Sequence, residues 1–281
     1  MIPWRKLLRT SRPRFWIYLL GPYLVGLAAG MRHPASLRDI RIVLFLLFFT
    51  LPANLFLYGV NDIFDYETDR SNEKKSAYET LALPAEHARL TWMILALILP
   101  FAPALPYQCP PALAALAGFL FCGAFYSAPP IRAKARPILD SAFNVLYALP
   151  GLFAYLLVGG TTISVPVCLA AWLWTMAMHA YSAVPDIEAD RGAGLQTIAT
   201  LLGFRGTLLL CLALYIAAAV AAYQALSLLA VILGFVYTLL MLISLRTDTT
   251  AGLLRIYRWF PLVNTLGGMA IFLLVAVSKL R

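Results

Sequence analysis

Nine long apolar segments occur along the 281-residue chain, with short connections between most of them. Each approaches the ~20 residues that a helix needs to cross the hydrocarbon core of a bilayer. Gly, Ala, Pro and aromatic residues occur throughout these segments, a pattern that fits helices packed in lipid better than barrel strands. The segments are 15–31, 42–60, 90–107, 111–127, 140–158, 165–184, 206–223, 226–245 and 259–278. They predict an all-α polytopic membrane protein that forms a single domain over residues 1–281.

Composition and charge agree with this prediction. Hydrophobic residues make up 62% of the chain and charged residues 12%, whereas a soluble domain is about half apolar and about a quarter charged. Seventeen of the 22 Lys and Arg residues lie on one side of the predicted spans, so the net charge of +9 reflects membrane topology and does not indicate a nucleic-acid partner. Because positively charged connections stay in the cytoplasm, we predict a multi-pass protein of the inner cell membrane with its active site on the cytoplasmic side.

Acidic residues are concentrated after the second and the sixth predicted spans, where ten of the thirteen lie in two segments and the loops beside them. In the first segment, Asp62, Asp65 and Asp69 fall within about 60° of one another if the preceding helix continues through them. At ~6 Å and an effective dielectric constant of ~20, each pair of carboxylates repels by roughly 3 kcal/mol. A cation is therefore expected between them. Mg²⁺ suits such a site because it binds one or two carboxylates together with water and phosphate.

The second acidic segment carries Asp186 and Asp190, which are four residues apart and therefore share one face of a helix. Asn61, directly before the first acids, can add a neutral oxygen ligand. A solvated helix end with ordinary loop acids is the alternative interpretation. The predicted metal ligands are Asn61, Asp62, Asp65, Asp69, Asp186 and Asp190.

Basic residues near the acidic segments are candidates for binding a diphosphate. Lys74 follows the first acidic segment, and Arg132 and Lys134 lie just beyond Pro129 and Pro130, which fix the direction of the connection. Carboxylate-bound Mg²⁺ on one side and Lys or Arg on the other form a clamp for a diphosphate. Charge that only sets the membrane topology is the alternative.

Three residues near span ends are candidates for contact with a prenyl group or its acceptor. Tyr126 and Tyr181 can stabilise a carbocation through cation–π attraction, although tyrosine is also common where helices leave the bilayer. His179 lies seven residues before Asp186. It can act as a base, or it can be merely hydrogen-bonded within the helix bundle.

Asn61-Asp62-x-x-Asp65-x-x-x-Asp69, the Tyr126–Lys134 element and Asp186-x-x-x-Asp190 together resemble the motifs of UbiA-type intramembrane prenyltransferases. The resemblance covers nearly the whole chain. It implies nine helices around a central cavity, open to lipid at the side and capped by cytoplasmic loops. It also implies Mg²⁺-dependent transfer of a prenyl group from an isoprenyl diphosphate to a lipophilic acceptor. The residues that it makes catalytic are Asp62, Asp65, Asp69, Asp186, Asp190 and Lys134, and the diphosphate ligands are Asn61, Lys74, Arg132 and Lys134.

Local sequence favours the carotenoid branch of this family. Residues 11–16, 126–130 and 179–190 resemble lycopene elongases, which add a five-carbon unit to the end of lycopene or a related acyclic carotene, so dimethylallyl diphosphate is the implied donor. The quinone-precursor branch, which prenylates aromatic acceptors, usually has an Arg-rich, Arg-Pro-Leu stretch after its first motif, whereas residues 72–79 read NEKKSAYE. An aromatic prenyltransferase, a cation transporter that uses the acids as an ion path, and a non-catalytic lipid-binding protein are the alternatives.

Overall fold

The computed structural model describes residues 2–31, 38–66, 81–247 and 249–280. These ranges are largely helical and contain no strand, so the predicted all-α class is confirmed. The α-helices are α1 Trp4–Thr10, α2 Ile17–Gly30, α3 Ile40–Phe48, α4 Leu51–Phe64, α5 Pro84–Ile98, α6 Pro110–Ser127, α7 Leu139–Ala142, α8 Leu149–Leu157, α9 Val165–Ala183, α10 Ile187–Gly192, α11 Ile198–Leu226, α12 Leu228–Leu245, α13 Thr250–Tyr257 and α14 Phe260–Leu280. The 3₁₀ helices are Pro13–Phe15, Leu99–Tyr107, Ala133–Ala135, Phe143–Tyr147 and Val184–Asp186.

Eight helical segments in the described ranges are long and apolar enough to cross a membrane. The remaining predicted span corresponds to α2, an apolar helix of 14 residues. Several spans are composite, because Ile40–Phe64 consists of α3 and α4, and Thr250–Lys279 of α13 and α14. The predicted polytopic helical protein is therefore confirmed. The predicted number of nine spans is reached when the shorter α2 is counted.

The chain divides into two compact units. Unit 1 comprises Met1–Arg132 and Leu149–Thr161, and unit 2 comprises Ala133–Ala148 and Thr162–Arg281. The first acidic motif therefore belongs to unit 1 and the second to unit 2. A single functional domain over the whole chain remains a prediction.

Glycines bring α2 and α8 of unit 1 into direct backbone contact. A Cβ atom on Gly26 would lie 1.9 Å from the carbonyl oxygen of Gly151, and one on Gly30 would lie 2.3 Å from that of Tyr155. Small residues permit this approach, and close packing of this kind is what holds helices together in lipid. The phenylalanines of the same unit that are at most 2% exposed are Phe45, Phe48, Phe49, Phe119 and Phe153.

A break at Phe49 and Thr50 separates α3 from α4, the helix that leads to the first acidic motif. Pro52 lies in the first turn of α4, where its missing N–H costs least. The side-chain amide of Asn54 donates to the carbonyl oxygens of Phe49 at 3.1 Å and Thr50 at 2.7 Å, and the Asn54 backbone nitrogen also donates to Thr50 at 3.2 Å, so Asn54 ties both residues of the break to the start of α4. The apolar run 42–60 is thus part of two helices rather than one.

Unit 2 is built around the packing of α9 against α11 and of α11 against α12. The rings of Tyr215 and Tyr237 stack with their centroids 4.5 Å apart. Thr197 caps α11 by accepting a hydrogen bond from the backbone nitrogen of Thr200 at 3.1 Å. This helix begins at Ile198 rather than at residue 206 as the sequence predicts, and it bends at Gly203, where φ is 68°.

Apolar side chains also cover the outside of unit 2. Val220 on α11, Phe235 on α12 and Leu266 on α14 are 72%, 66% and 61% exposed. Exposing so many apolar side chains to water costs free energy, whereas the hydrocarbon core of a bilayer solvates them. The exposed residues are therefore those of lipid-facing helices.

Candidate active site

The first acidic motif lies at the C-terminal end of α4 in unit 1. Asp62 and Asp65 are buried, with exposed fractions of 2% and 1%. The helix ends at Phe64 and Asp65 forms its C-cap, so the continuous helix assumed through Asp69 is corrected at this point. Carboxylates are unfavourable at the negative C-terminal end of a helix, and the end of α4 lets the Asp65 side chain reach hydrogen-bond donors. Asp69 itself lies outside the described residues.

Asn61 and Ser127 supply donors to Asp65. The side-chain amide of Asn61 donates to Oδ2 of Asp65 and, at 2.9 Å, to Oγ of Ser127. Ser127 Oγ in turn donates to the same Oδ2 at 3.2 Å. Asn61 therefore lies beside Asp65, and its role as a metal ligand remains a prediction. Ser127 was not predicted, because a serine at the end of an apolar helix has no distinctive pattern.

Arg12 neutralises Asp62. Its Nη2 donates to Oδ1 of Asp62 at 3.1 Å, with 14% and 3% of the two side chains exposed. The Arg12 guanidinium also lies 4.6 Å from the centroid of the Tyr58 ring. A buried carboxylate without a counter-charge would be strongly destabilising. The sequence gives no sign of this pair, because its members are 50 positions apart.

Arg132 stands at the end of the first segment of unit 1, with a positive φ of 46°. Its Nε is buried and has no hydrogen-bond partner among the described residues. A buried donor of this kind suits an anionic oxygen, and the role of Arg132 in diphosphate binding remains a prediction. Tyr126 lies in the last turn of α6 and is partly exposed. Lys74 lies outside the described residues.

The second acidic motif lies in unit 2, where a 3₁₀ turn that ends at Asp186 leads into α10. Asp186 and Asp190 are both half-buried. Glu188 between them is exposed and pairs with Arg191 at 3.1 Å. The two aspartates are thus less exposed than Glu188, and their role as metal ligands remains a prediction.

His179 on α9 lies near a second buried carboxylate of unit 2. Its Nε2 is 3.9 Å from Oδ2 of Asp140. Asp140 has no exposed surface, and its Oδ2 accepts a hydrogen bond from the backbone nitrogen of Ile198 at 2.7 Å. Asp140 was not predicted as a site residue, because it stands alone in an apolar run and forms no motif.

Tyr181 lies in the aromatic interior of unit 2, while Lys134 lies near its surface. The Tyr181 hydroxyl is 2.9 Å from Oγ of Ser244, and its ring packs on Tyr257 and Phe260 with centroid distances of 5.4 and 5.0 Å. Tyr181 has no exposed surface in this conformation, so its visible role is in packing. Lys134 is partly exposed in the 3₁₀ helix Ala133–Ala135, so its ammonium group is accessible to bind an anion.

The oxygen donors of the first motif fit a hard divalent cation. No group of three or more His, Cys, Asp or Glu side chains forms a metal site by itself within the part of the chain that is described. Mg²⁺ does not require one, because it keeps several waters and takes oxygens from phosphate. Buried Asp62 and Asp65 with Asn61 beside them provide such an incomplete set of oxygen donors. The contact with Arg12 shows that this pocket requires positive charge.

An apolar groove with a volume of about 430 Å³ opens between α4, α5 and α6 of unit 1. Phe56, Val60, Ile63 and Phe64 line it from α4. At about 100° per residue these positions lie on the side of α4 largely opposite Asp62. The groove therefore fits a hydrocarbon chain and is separate from the carboxylates.

Residues 19–259 match the model of the UbiA prenyltransferase family. The chain belongs to this family. As a UbiA family member it is a prenyltransferase and an integral, multi-pass membrane protein, which confirms both predictions from the sequence.

Relatives of this UbiA family member match over nearly its whole length. A lycopene elongase/hydratase of Haloferax volcanii is 43% identical over 266 residues, which cover 94% of this chain and 86% of that protein. A lycopene elongase/hydratase of Halobacterium salinarum is 40% identical over 266 residues, with 94% of each protein covered. The structure of a UbiA homolog from Archaeoglobus fulgidus bound to DMAPP and Mg²⁺ is 25% identical and matches 95% of this chain and 99% of that one with a TM-score of 0.66.

Proposed function

We propose that this prenyltransferase moves a dimethylallyl group from its diphosphate to the end of lycopene or a related acyclic carotenoid. The observation that carries the proposal is the identity of 43% and 40%, over 94% of the chain, with two proteins named lycopene elongase/hydratase. The solved homolog bound to DMAPP and Mg²⁺ supports a five-carbon allylic donor and this metal for the present chain.

Both acidic motifs have defined roles in this proposal. The metal ligands are Asn61, Asp62, Asp65 and Asp69 in the first motif and Asp186 and Asp190 in the second. Bound Mg²⁺ supplies positive charge where negative charge grows on the departing diphosphate. Lys74, Arg132 and Lys134 donate hydrogen bonds to the diphosphate oxygens. Arg12 compensates Asp62 before the metal and the substrate arrive.

The reaction requires that the C1–O bond of the dimethylallyl diphosphate breaks, with its electron pair leaving on the diphosphate. The terminal double bond of the carotenoid attacks C1 and forms the new C–C bond, which leaves a tertiary cation that loses a proton or adds water. The chain must hold the charged group firmly and keep water from the allylic cation. The buried acids at the end of apolar α4 suit the first task. In addition, the ring of Tyr126 can stabilise the allylic cation through cation–π attraction.

We propose the cytoplasmic side for the diphosphate and the bilayer as the source of the acceptor. Seventeen of the 22 Lys and Arg residues lie on the side of the two acidic motifs, which supports this orientation. Lycopene is wholly apolar and resides in lipid, so it has to enter from the membrane.

An aromatic acceptor is the second candidate, because the UbiA family also includes quinone-precursor enzymes. The sequence NEKKSAYE at residues 72–79 argues against it, since the Arg-Pro-Leu stretch of those enzymes is missing. Family membership and the position of Asp62 and Asp65 at the C-terminal end of α4, rather than in the middle of a span, both argue against a cation transporter.

Expression in a lycopene-producing host tests the proposal. The expected pigment is heavier than lycopene by one five-carbon unit for each modified end, with or without one water. The Asp62→Asn variant should abolish this gain, whereas Glu188→Gln should retain it, because Glu188 is exposed and already paired with Arg191. Unchanged pigments in cells whose membranes contain the wild-type protein would refute a carotenoid acceptor. Transfer of labelled dimethylallyl to an aromatic acceptor in the same membranes would support the second candidate.

A further inference from the structure

The His179–Asp140 pair of unit 2 has no part in diphosphate binding as proposed above. We propose that His179 accepts the proton of the water that quenches the final carbocation, and that Asp140 orients His179 and balances its charge. This inference rests on the proposed prenyl transfer to a carotenoid. It makes His179 a determinant of whether the product is hydrated.

The first argument is the difference in exposure between the two side chains. The His179 side chain is 16% exposed and that of Asp140 is 1% exposed. The imidazole therefore reaches accessible space while the carboxylate lies behind it. A buried carboxylate in this position can balance the charge of a histidine that takes up a proton.

The second argument concerns the charge of Asp140. Its Oδ2 accepts from the backbone nitrogen of Ile198 at the start of α11, and its Oδ1 has no hydrogen-bond partner within the described ranges. One backbone hydrogen bond and the positive end of a helix compensate a buried carboxylate incompletely. Within residues 2–31, 38–66, 81–247 and 249–280, the ion-pair partner that the structure gives for Asp140 is His179, at 3.9 Å. An imidazolium at His179 would complete the compensation.

The third argument is the position of His179 relative to Asp186. His179 lies on α9 and Asp186 ends the 3₁₀ helix that follows, so the seven residues between them span about 12 Å at ~1.5 Å per α-helical and ~2.0 Å per 3₁₀ residue. The C1–O bond that breaks joins the donor directly to its diphosphate. The final cation lies farther away, on a carotenoid carbon that is two bonds from C1 of the donor. His179 is therefore at a depth that suits the quenching step better than the ionisation.

The proposed step is balanced in atoms and electrons. The oxygen of one water forms a bond to the tertiary carbon, and one of its protons passes to the imidazole. Nε2 of His179 faces Asp140 and therefore keeps its proton. The proton released by the water then binds to Nδ1, which carries the lone pair of the neutral imidazole. The diphosphate has already left with the electron pair of the C–O bond, so no redox step is required. Without this base, the cation loses a carbon-bound proton to another acceptor, such as diphosphate, and the product is an alkene.

The alternative is that Asp140 serves only to cap α11. The Asp140→Asn variant separates the two roles, because the asparagine side-chain oxygen can still accept from the nitrogen of Ile198 while the negative charge is lost. Ionisation of the donor precedes the quenching step. Loss of the base should therefore change the product ratio more than the amount of prenyl transfer.

The experiment compares wild type, His179→Gln, Asp140→Asn and the control His87→Gln in a lycopene-producing host, with the mass spectrum of the pigments as the readout. His87 is a suitable control because it lies in unit 1, where its Nε2 is 3.0 Å from the carbonyl oxygen of Ala82. We expect the ratio of hydrated to unhydrated product to fall about 100-fold in His179→Gln, the lower range for a general base, and at least about 10-fold in Asp140→Asn. Total prenyl transfer should stay within about threefold, and His87→Gln should match wild type.

Several outcomes would overturn the inference. They are a wild-type product ratio in both variants, a wild-type enzyme that makes only the unhydrated product, and equal losses of transfer and hydration, which would indicate a structural role. If His179→Gln is absent from the membrane, Asp140→Asn decides, and loss of both proteins would also indicate a structural role. A wild type that transfers no prenyl group at all would instead refute the proposed function, and the inference with it.

Discussion

Replacing Arg12 by glutamine should destabilise the metal-free protein, because buried Asp62 then loses the attraction of the Arg12 guanidinium. Nη2 and Oδ1 are 3.1 Å apart and the side chains are 14% and 3% exposed, so solvent screens the pair weakly. With charge centres about 4 Å apart and an effective dielectric constant of about 20, the lost attraction is about 4 kcal/mol. Breaking one side of a buried pair costs a similar 3–5 kcal/mol or so. Glutamine can still donate a neutral hydrogen bond of about 1 kcal/mol, which leaves a loss of about 3 kcal/mol.

Mg²⁺ should reduce this loss if it binds beside Asp62, since the cation then compensates the same carboxylate. The assay is thermal unfolding of the detergent-solubilised protein, with a chelator and with Mg²⁺ plus dimethylallyl diphosphate. At the roughly 2–4 °C per kcal/mol of a domain of comparable size, the metal-free Arg12→Gln variant should melt about 6–12 °C below wild type. With Mg²⁺ and the diphosphate, that difference should fall by at least about half.

Two controls make the result specific to the Arg12–Asp62 pair. Arg14→Gln should lower the melting temperature by less than about 2 °C, because Arg14 is exposed and its guanidinium lies over the Phe15 ring. The double variant Arg12→Gln/Asp62→Asn should recover most of the stability, since it removes both charges. The reasoning is refuted if metal-free Arg12→Gln melts within about 2 °C of wild type, or if Mg²⁺ leaves its deficit unchanged.

Two further predictions follow from the site and the packing. Asp62→Asn should lower the rate of labelled diphosphate release from dimethylallyl diphosphate at least ~100-fold, because a charged oxygen ligand is lost where the leaving group is stabilised. The control Glu188→Gln should release diphosphate within about twofold of the wild-type rate. Equal rates in the two variants would contradict the role of Asp62. Gly26→Ala should lower the free energy of unfolding by about 1–3 kcal/mol, because the new Cβ would lie 1.9 Å from the carbonyl oxygen of Gly151. Gly268→Ala, where no neighbouring atom lies within 4 Å of the new Cβ, is the matched control, and a similar thermal shift in both variants would count against the close contact.

The fold was largely predictable because each span must be apolar over most of its length, and that requirement is visible in sequence without any knowledge of contacts. Both acidic motifs were visible for the opposite reason, since acids are rare in so apolar a chain. The break at Thr50 and the end of α4 at Phe64 were less accessible. They depend on where side chains such as Asn54 find hydrogen-bond partners, which the hydropathy of the run does not record.

The polar contacts behind the first motif could not be predicted from the sequence. Arg12 and Asp62 are 50 positions apart, and Ser127 and Asp65 are 62 apart. Each contact joins a motif residue to one that looks ordinary in its own surroundings. A buried charge guarantees that some partner exists, but only the packing of the helices determines which residue it is.

The contact between α2 and α8 has a consequence for the synthesis of the protein. α2 is synthesised well before its partner, which is made only when the chain reaches Leu149–Leu157. Gly26 and Gly30 therefore lie in the membrane without α8 as a packing partner while α3–α7 are synthesised. In a nascent chain arrested before residue 149, the α2 surface at Gly26 and Gly30 would remain exposed to lipid. We expect such a fragment to be recognised by membrane quality control.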